Sequence, residues 1–253
     1  RKKVAISSFH FLVLGDGATS KTVCAALKAK GAGRVSVLSR KKAPFYQDIA
    51  DFYQDTDYII NTTSVGMYPH TDCSLISLLG FKRLKGVFDV IYNPLRTKLL
   101  LEAEERGLVY SDGLPMLIAQ AFYADEIFFK RKNAVEKLEA IISEIRRDKE
   151  NIILIGMPGV GKTTLGKALA KALKRPFYDS DVLLREKIGD LSAYIKEEGE
   201  TKFRQEETAI LESLGKETGM VIATGGGVIT RQENYNHLRQ NGRIYQLDKA
   251  LSH

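Results

Sequence analysis

The chain has 253 residues, more than one domain of ordinary size needs, so two are expected. Apolar residues make up 44% and charged residues 27%, which excludes a disordered or fibrous chain, and no apolar run is long enough to span a bilayer. Net charge is +7, its excess scattered in Lys41/Lys42, Lys82/Arg83/Lys85 and Lys130/Arg131/Lys132; with no recognition motif beside it, this fits solvated loops and a phosphate-bearing ligand rather than nucleic acid.

Two cysteines, Cys24 and Cys73, without C-x-x-C spacing point to a reduced, cytoplasmic protein. The opening RKKVAISSFHFLVLGDGA has the outline of a secretory leader, but Ser7, Ser8 and His10 interrupt its apolar region. The chain does not begin with Met and is read as a segment of something longer.

Phe11–Leu14 reads as a strand running into Gly15, Asp16, Gly17, Ala18, Thr19 and Ser20. A helix follows, with Val23, Ala26 and Leu27 on one face and Gly31 to end it. Val35–Leu38 is a second strand, which completes the opening of a dinucleotide-binding fold. The third glycine of the usual fingerprint is absent, so a helix-capping turn in another α/β protein stays open as the alternative. NAD-binding proteins place a carboxylate after the second strand, bonded to the ribose 2′-hydroxyl; here Ser39, Arg40 and Lys41 stand. A guanidinium grips a 2′-phosphate that a carboxylate would repel, which favours NADP(H). A solvated basic turn is the competing reading.

Next come a helix around Phe45–Phe52, a strand Tyr58–Asn61, and the loop NTTSVGMYP at that strand's carboxyl end, where open α/β sheets bind ligands. Gly86–Ile91 is a further strand, ending in DVIYNP. Thr97 caps a helix carrying Leu99 to Leu101, and Val109 to Met116 leads into a helix containing Gln120. The segments NTTSVGMYP, DVIYNPLRTKLL and DGLPMLIAQA resemble the NADP-binding domain of shikimate dehydrogenases over residues 11–128. The resemblance implies that Tyr92 and Gln120 contact shikimate, that Val90, Gly113 and Met116 lie by the nicotinamide, and that Gly15–Ser20 and Ser39–Lys41 bind cofactor phosphates. Asp16 and Ala18 depart from the family's common loop. The family's catalytic Lys–Asp pair belongs to a preceding substrate domain, which this sequence does not show.

Residues 123–149 are charged and helical, with Val135, Leu138, Ile141, Ile142 and Ile145 on one face. They are read as the last helix of the first domain (1–132) and a helical linker (133–149), with a coiled-coil partner helix as the alternative.

From residue 150 a second domain begins. Ile152–Ile155 is a buried strand, Gly156 to Thr163 fits G-x-x-x-x-G-K-[ST], and Leu165, Ala168, Leu169 and Ala172 recur at helical spacing. The strand–loop–helix order is the context a phosphate loop needs: backbone N–H groups form an anion nest and the helix N-terminus adds its dipole. Gly156, Gly159, Val160, Gly161, Lys162, Thr163 and Thr164 would hold ATP, with Lys162 on the β- and γ-phosphates and Thr163 ligating magnesium. Pro176 stops the helix. Asp179 and Asp181 follow at strand spacing, so both carboxylates would face the γ-phosphate. GETKFRQEE (199–207) and a strand Val221–Ala223 running into Gly225-Gly226-Gly227 complete the pattern.

These motifs, in this order, resemble the shikimate kinases. The resemblance implies that Asp181 binds the shikimate hydroxyls and takes a proton, and that Arg204, oriented by Glu207, holds the carboxylate. It also implies that Gly226 offers its N–H and Asp179 acts on magnesium. The stretch between Gly189 and Gly199 is one residue shorter than usual, and the family's lid arginines lie beyond His253. The expectation is an α/β protein, a Rossmann-like dinucleotide-binding domain followed by a P-loop kinase domain with a parallel sheet. It would reduce 3-dehydroshikimate with NADPH and phosphorylate shikimate with ATP and magnesium. A kinase for another small polyol, and a nucleotide-binding module without catalysis, are the rivals.

Overall fold

The computed structural model describes residues 6–41, 43–130, 132–228 and 231–248. Lys42 and Arg131 of the basic clusters lie outside the described residues. Two compact units divide between Leu138 and Glu139, inside the stretch read as a linker.

The first unit builds β1 (His10–Leu14), α1 (Ala18–Ala29), β2 (Arg34–Leu38), a 3₁₀ helix (Tyr46–Phe52), β3 (Tyr58–Asn61), β4 (Gly86–Asp89), α2 (Lys98–Glu105), β5 (Val109–Ser111) and α3 (Leu114–Phe128). Its sheet runs β2-β1-β3-β4-β5, with every pair parallel. The inner strands β1 and β3 are covered on both faces, which is why Phe11–Leu14 and Tyr58–Ile60 read as unbroken apolar runs. Leu12, Leu14 and Leu38 enter one core with Phe52, Ile59 and Phe81. Phe11, Val13 and Ile60 face the other way, against Val23, Cys24 and Leu27 of α1. Cys24, not Ala26, thus completes the buried stripe of α1, since Ala26 is exposed. Gly31 ends that helix in the left-handed region at φ +76°, where a side chain would be strained. The Thr97 hydroxyl accepts from Leu100 N–H and caps α2.

The stretch read as the last helix of the first domain and a helical linker is α3, ending at Phe128, and then α4 (Val135–Lys149). Of its proposed apolar face only Leu138 is buried, and Val135 is 54% exposed.

In the second unit β6 (Asn151–Gly156), α5 (Lys162–Leu173), β7 (Phe177–Asp179), α6 (Ser180–Ile188), α7 (Leu191–Glu198), α8 (Glu200–Lys216), β8 (Val221–Ala223), α9 (Gln232–Asn241) and β9 (Gly242–Leu247) follow. The parallel sheet runs β7-β8-β6-β9. Ile153, Ile155 and Ile222 pack on Leu211 and Leu214 of α8 and Leu238 of α9. The buried face of α5 differs from the expected one: Lys162, Gly166 and Ala170 turn inward, while Leu165 is 45% exposed. A side chain at Gly166 would overlap Phe177 and press on Leu154, so the close approach of helix to sheet selects small residues over leucine.

Candidate functional site

In each unit the candidate residues gather at the carboxyl ends of parallel strands, beside the place where strand order reverses. For the first unit that place lies between β1 and β3. Gly15 follows β1 at φ +108°, and a Cβ there would fall 2.8 Å from Thr62 Oγ1 and 2.9 Å from Thr63 Cγ2. Only glycine allows the two loops to close so tightly. A Cβ at Gly17, by contrast, would meet nothing within 4 Å, which leaves the N-terminus of α1 open to an anion. Ala18 and Thr19 begin that helix and Ser20 is buried in its first turn. The Ser39 hydroxyl, just past β2, donates to Asp16 Oδ2 at 3.2 Å and accepts from Lys41 N–H at 3.0 Å. Ser39 and Arg40 line a cavity of about 350 Å³ with Phe45, Tyr46 and Gln47.

Across the sheet, Asp89 ends β4 as a buried carboxylate. It accepts from Asn61 Nδ2 at 3.1 Å, Ile91 N–H at 3.0 Å and Thr97 Oγ1 at 2.8 Å. Burial is the main reason its pKa rises to about 6, against those hydrogen bonds; the charge of Asp112 adds to the rise. Asn61 Oδ1 in turn accepts from Thr63 N–H and Oγ1. One acid therefore fixes the loop after β3, the segment holding Val90 and Tyr92, and the start of α2. Sequence reasoning missed this role; an Asn and an Asp each ending an apolar strand was the available signal. Gly113 caps α3 and comes so close to Val90 O that a side chain would overlap it. Tyr92 and Met116 are exposed at 44% and 38%. Met116 and Gln120, one helical turn apart on α3, are both exposed and share a face.

In the second unit the reversal lies between β6 and β8. Gly159 and Gly161 hold φ of +77° and +98°, and a Cβ on either would meet nothing within 4 Å. The loop Gly156–Gly161 thus curls around open space, as a phosphate cradle must. Val160 N–H closes it by donating to Met157 O at 3.3 Å. Lys162 Nζ is buried and donates to Gly156 O at 2.7 Å and Met157 O at 3.0 Å. Thr163 Oγ1 donates to Asp179 Oδ2 at 2.7 Å, and Thr164 is exposed on the next position of α5.

The expected strand alternation of Asp179 and Asp181 does not hold. Asp179 is the last residue of β7 and caps α6, accepting from Asp181 N–H at 3.1 Å, while Asp181 sits in the first turn of that helix. The helix starts at Ser180 because a capping carboxylate satisfies a free N–H better than another strand residue would. The two acids point to different neighbours, Asp179 to Thr163 and Asp181 to the triple-glycine loop. Burial, then the charge of Asp179, raises the pKa of Asp181, opposed by Arg185 and Lys162.

Each glycine of 225–227 is pressed against a different neighbour. A Cβ at Gly225 would lie 2.5 Å from Asp181 Oδ1, at Gly226 2.9 Å from Pro158 Cδ, and at Gly227 3.1 Å from Arg204 Nη1. Arg204 itself donates to Glu207 Oε2 at 3.0 Å and Glu200 Oε1 at 3.3 Å. The loop is tied down by Ser180, a buried residue missed in the sequence, whose hydroxyl accepts from Gly225 N–H at 3.1 Å. The phosphate loop, the acid of α6 and the guanidinium of α8 thereby converge on three residues without side chains.

A larger cavity, about 710 Å³, lies at the amino ends of the same strands, lined by residues such as Arg147, Arg175 and Arg243. Two of these guanidinia are used structurally: Arg175 closes the end of α4 by donating to Glu150 O and Arg147 O, and Arg243 pairs with Glu150. Among the described residues no three His, Cys, Asp or Glu side chains form a metal cluster, and no helix is long and apolar enough to cross a membrane.

The shikimate kinase family model matches residues 158–253. A shikimate kinase of Legionella pneumophila (strain Corby) is 46% identical over 102 residues, which are 40% of this chain and 58% of that protein. The chain thus spans under two thirds of the curated relatives it matches. The solved shikimate dehydrogenase 1 of Peptoclostridium difficile is similar with a TM-score of 0.51 at 28% identity, over 56% of each chain. A chorismate mutase/shikimate 5-dehydrogenase fusion protein of Clostridium acetobutylicum is similar to the same degree, again over 56% of each chain. The chain therefore joins a Rossmann-like unit of shikimate dehydrogenase fold to a P-loop unit that carries the shikimate kinase family domain.

Proposed function

We propose that the chain is part of a cytoplasmic bifunctional enzyme that reduces 3-dehydroshikimate with NADPH and phosphorylates shikimate with ATP and magnesium. The observation that carries the kinase half is the convergence of Pro158, Asp181 and Arg204 on Gly225–Gly227. It puts a phosphate cradle, a carboxylate and a cation within reach of one small acidic polyol. Arg204 pairs with the substrate carboxylate, and its bonds to Glu207 and Glu200 keep the fork oriented. Gly226 presents backbone to the same ligand. Asp181 accepts the proton of the attacking hydroxyl; its raised pKa makes it a stronger base than an ordinary carboxylate. Lys162 leaves the carbonyls of Gly156 and Met157 for the β- and γ-phosphates, exchanging one set of acceptors for a more negative one.

The hydroxyl–carboxylate pair of Thr163 and Asp179 is a hard-oxygen donor set of the kind magnesium takes, alongside phosphate oxygens and water. Magnesium bound there would neutralise charge on the phosphates. In the first unit the open N-terminus of α1 and the Ser39–Lys41 turn suit a dinucleotide. Val90, Gly113 and Met116 would hold the nicotinamide, which supplies the hydride, and Tyr92 and Gln120 the substrate. We assign this unit the cofactor-holding share of the reduction.

The test is Lys162→Ala, with ATP and NADPH titrated separately. Loss of ATP binding with NADPH binding intact is expected, because the residues assigned to each lie on separate sheets. Retained ATP affinity, or loss of both in a folded variant, would overturn the reading.

A further inference from the structure

The loop after β1 carries a charge that the basic turn after β2 does not account for. Strands β1 and β2 are neighbours in register, Leu14 beside Leu38. Asp16, two residues past one strand end, therefore meets Ser39, one residue past the other, and accepts its hydroxyl at 3.2 Å. The same hydroxyl accepts from Lys41 N–H. Ser39 thus has its proton committed to a carboxylate in the turn that was read as a phosphate grip. Arg40 flanks the same cavity. The Tyr46 phenol in its wall is pushed above its ordinary value first by burial; Arg40 pulls it down and Asp16 pushes it up, so both charges reach the cavity.

Dinucleotide folds commonly use an acid at the end of the second strand to accept the ribose 2′-hydroxyl, and no acid stands there in this chain. We infer that Asp16 is a specificity-determining residue of the dinucleotide site: reaching over from the neighbouring strand end, its carboxylate accepts the ribose 2′-hydroxyl of NAD(H) and opposes the 2′-phosphate that Arg40 attracts. A carboxylate has about four acceptor positions, so the bond from Ser39 leaves capacity for a ribose hydroxyl. A 2′-phosphate in the same place would face a like charge and a serine whose proton is engaged. The site is then tuned between the two cofactors, with NADP(H) favoured by less than Arg40 and Lys41 alone would give.

This inference rests on the dinucleotide reading of the first unit. It is tested by titrating NADPH and NADH, through reduced-nicotinamide fluorescence, into the whole chain and its Asp16→Asn and Asp16→Ala variants. Asn keeps the shape and removes the charge, so a change in it cannot be ascribed to lost loop packing. Both variants should bind NADPH more tightly and NADH more weakly, widening the affinity ratio by about tenfold, the worth of one hydrogen bond to a charged group. An unchanged ratio, or both affinities moving together, would overturn the inference and leave the dinucleotide reading standing. If the unaltered chain bound neither cofactor, the reading and the inference would fall together.

Discussion

Gly225→Ala should separate ligand binding from folding. The backbone of residue 225 is held in place, its N–H by the Ser180 hydroxyl and its carbonyl by Val228 N–H. Its φ lies outside the left-handed region, so alanine is tolerated conformationally. The added Cβ would fall 2.5 Å from Asp181 Oδ1. Ordinary contact is about 1 Å longer, and the side chain that must yield ends in a carboxylate that can turn. The folding cost then stays near the low end of overpacking, about 1 kcal/mol. The functional cost is larger, because the displaced carboxylate leaves the substrate hydroxyl. A hydrogen bond to a charged group is worth roughly 1.5–3 kcal/mol, so shikimate affinity should fall by about 10- to 150-fold. ATP affinity should hold, since the phosphate loop is touched by Gly226 and not by Gly225. Calorimetric titration with each ligand, beside a thermal melt, measures all three quantities. A folded variant whose shikimate affinity stays within about twofold would refute the placement of Asp181 at the ligand.

Two further outcomes are expected. Arg40→Ala should lower NADPH affinity and leave NADH affinity nearly unchanged, since the guanidinium answers only the 2′-phosphate; equal losses for both cofactors would count against that role. Asp89 protonates more readily folded than unfolded, its pKa rising from 3.8 to about 6. The stability it contributes is therefore present below the unfolded pKa and is lost as pH rises through the folded one, a penalty of about 3 kcal/mol by pH 7. Asp89→Asn removes that slope, so wild type should lose about 2.4 kcal/mol relative to the variant between pH 4 and pH 7 in urea unfolding; a difference that does not change with pH would contradict it.

The strands were legible because parallel strands covered on both faces leave the plainest signature a sequence can carry. Leu12 to Leu14 and Ile153 to Ile155 are buried without exception, and no alternation was needed to find them. Helix faces were less legible. A periodicity search weights large apolar residues, but α5 lies so close to the sheet that Gly166 and Ala170 form its inner face and Leu165 turns outward. In α1 the expected face held at Val23 and Leu27 and missed only at its third member, where Cys24 packs inward and Ala26 is exposed. Helical spacing gives a period, and only the opposing surface says which residues it will accept.

The candidate site divides along a similar line. The phosphate loop could be read because its parts are contiguous: strand, glycines, Lys162 and helix within one stretch. What surrounds it is assembled from far apart. Ser180 and Gly225 meet across 45 positions, and Asp16 and Ser39 across 23. Residues with such separations become neighbours only when the sheet order is known. Asp16 shows the consequence most clearly. In the sequence it is a departure from a glycine fingerprint, and the Arg40 turn is a preference for a 2′-phosphate. Placing β1 beside β2 brings Asp16 onto the Ser39 hydroxyl and both opposite charges onto Tyr46 in the cavity wall, so on this inference cofactor choice is a difference between two charges and belongs to neither loop alone.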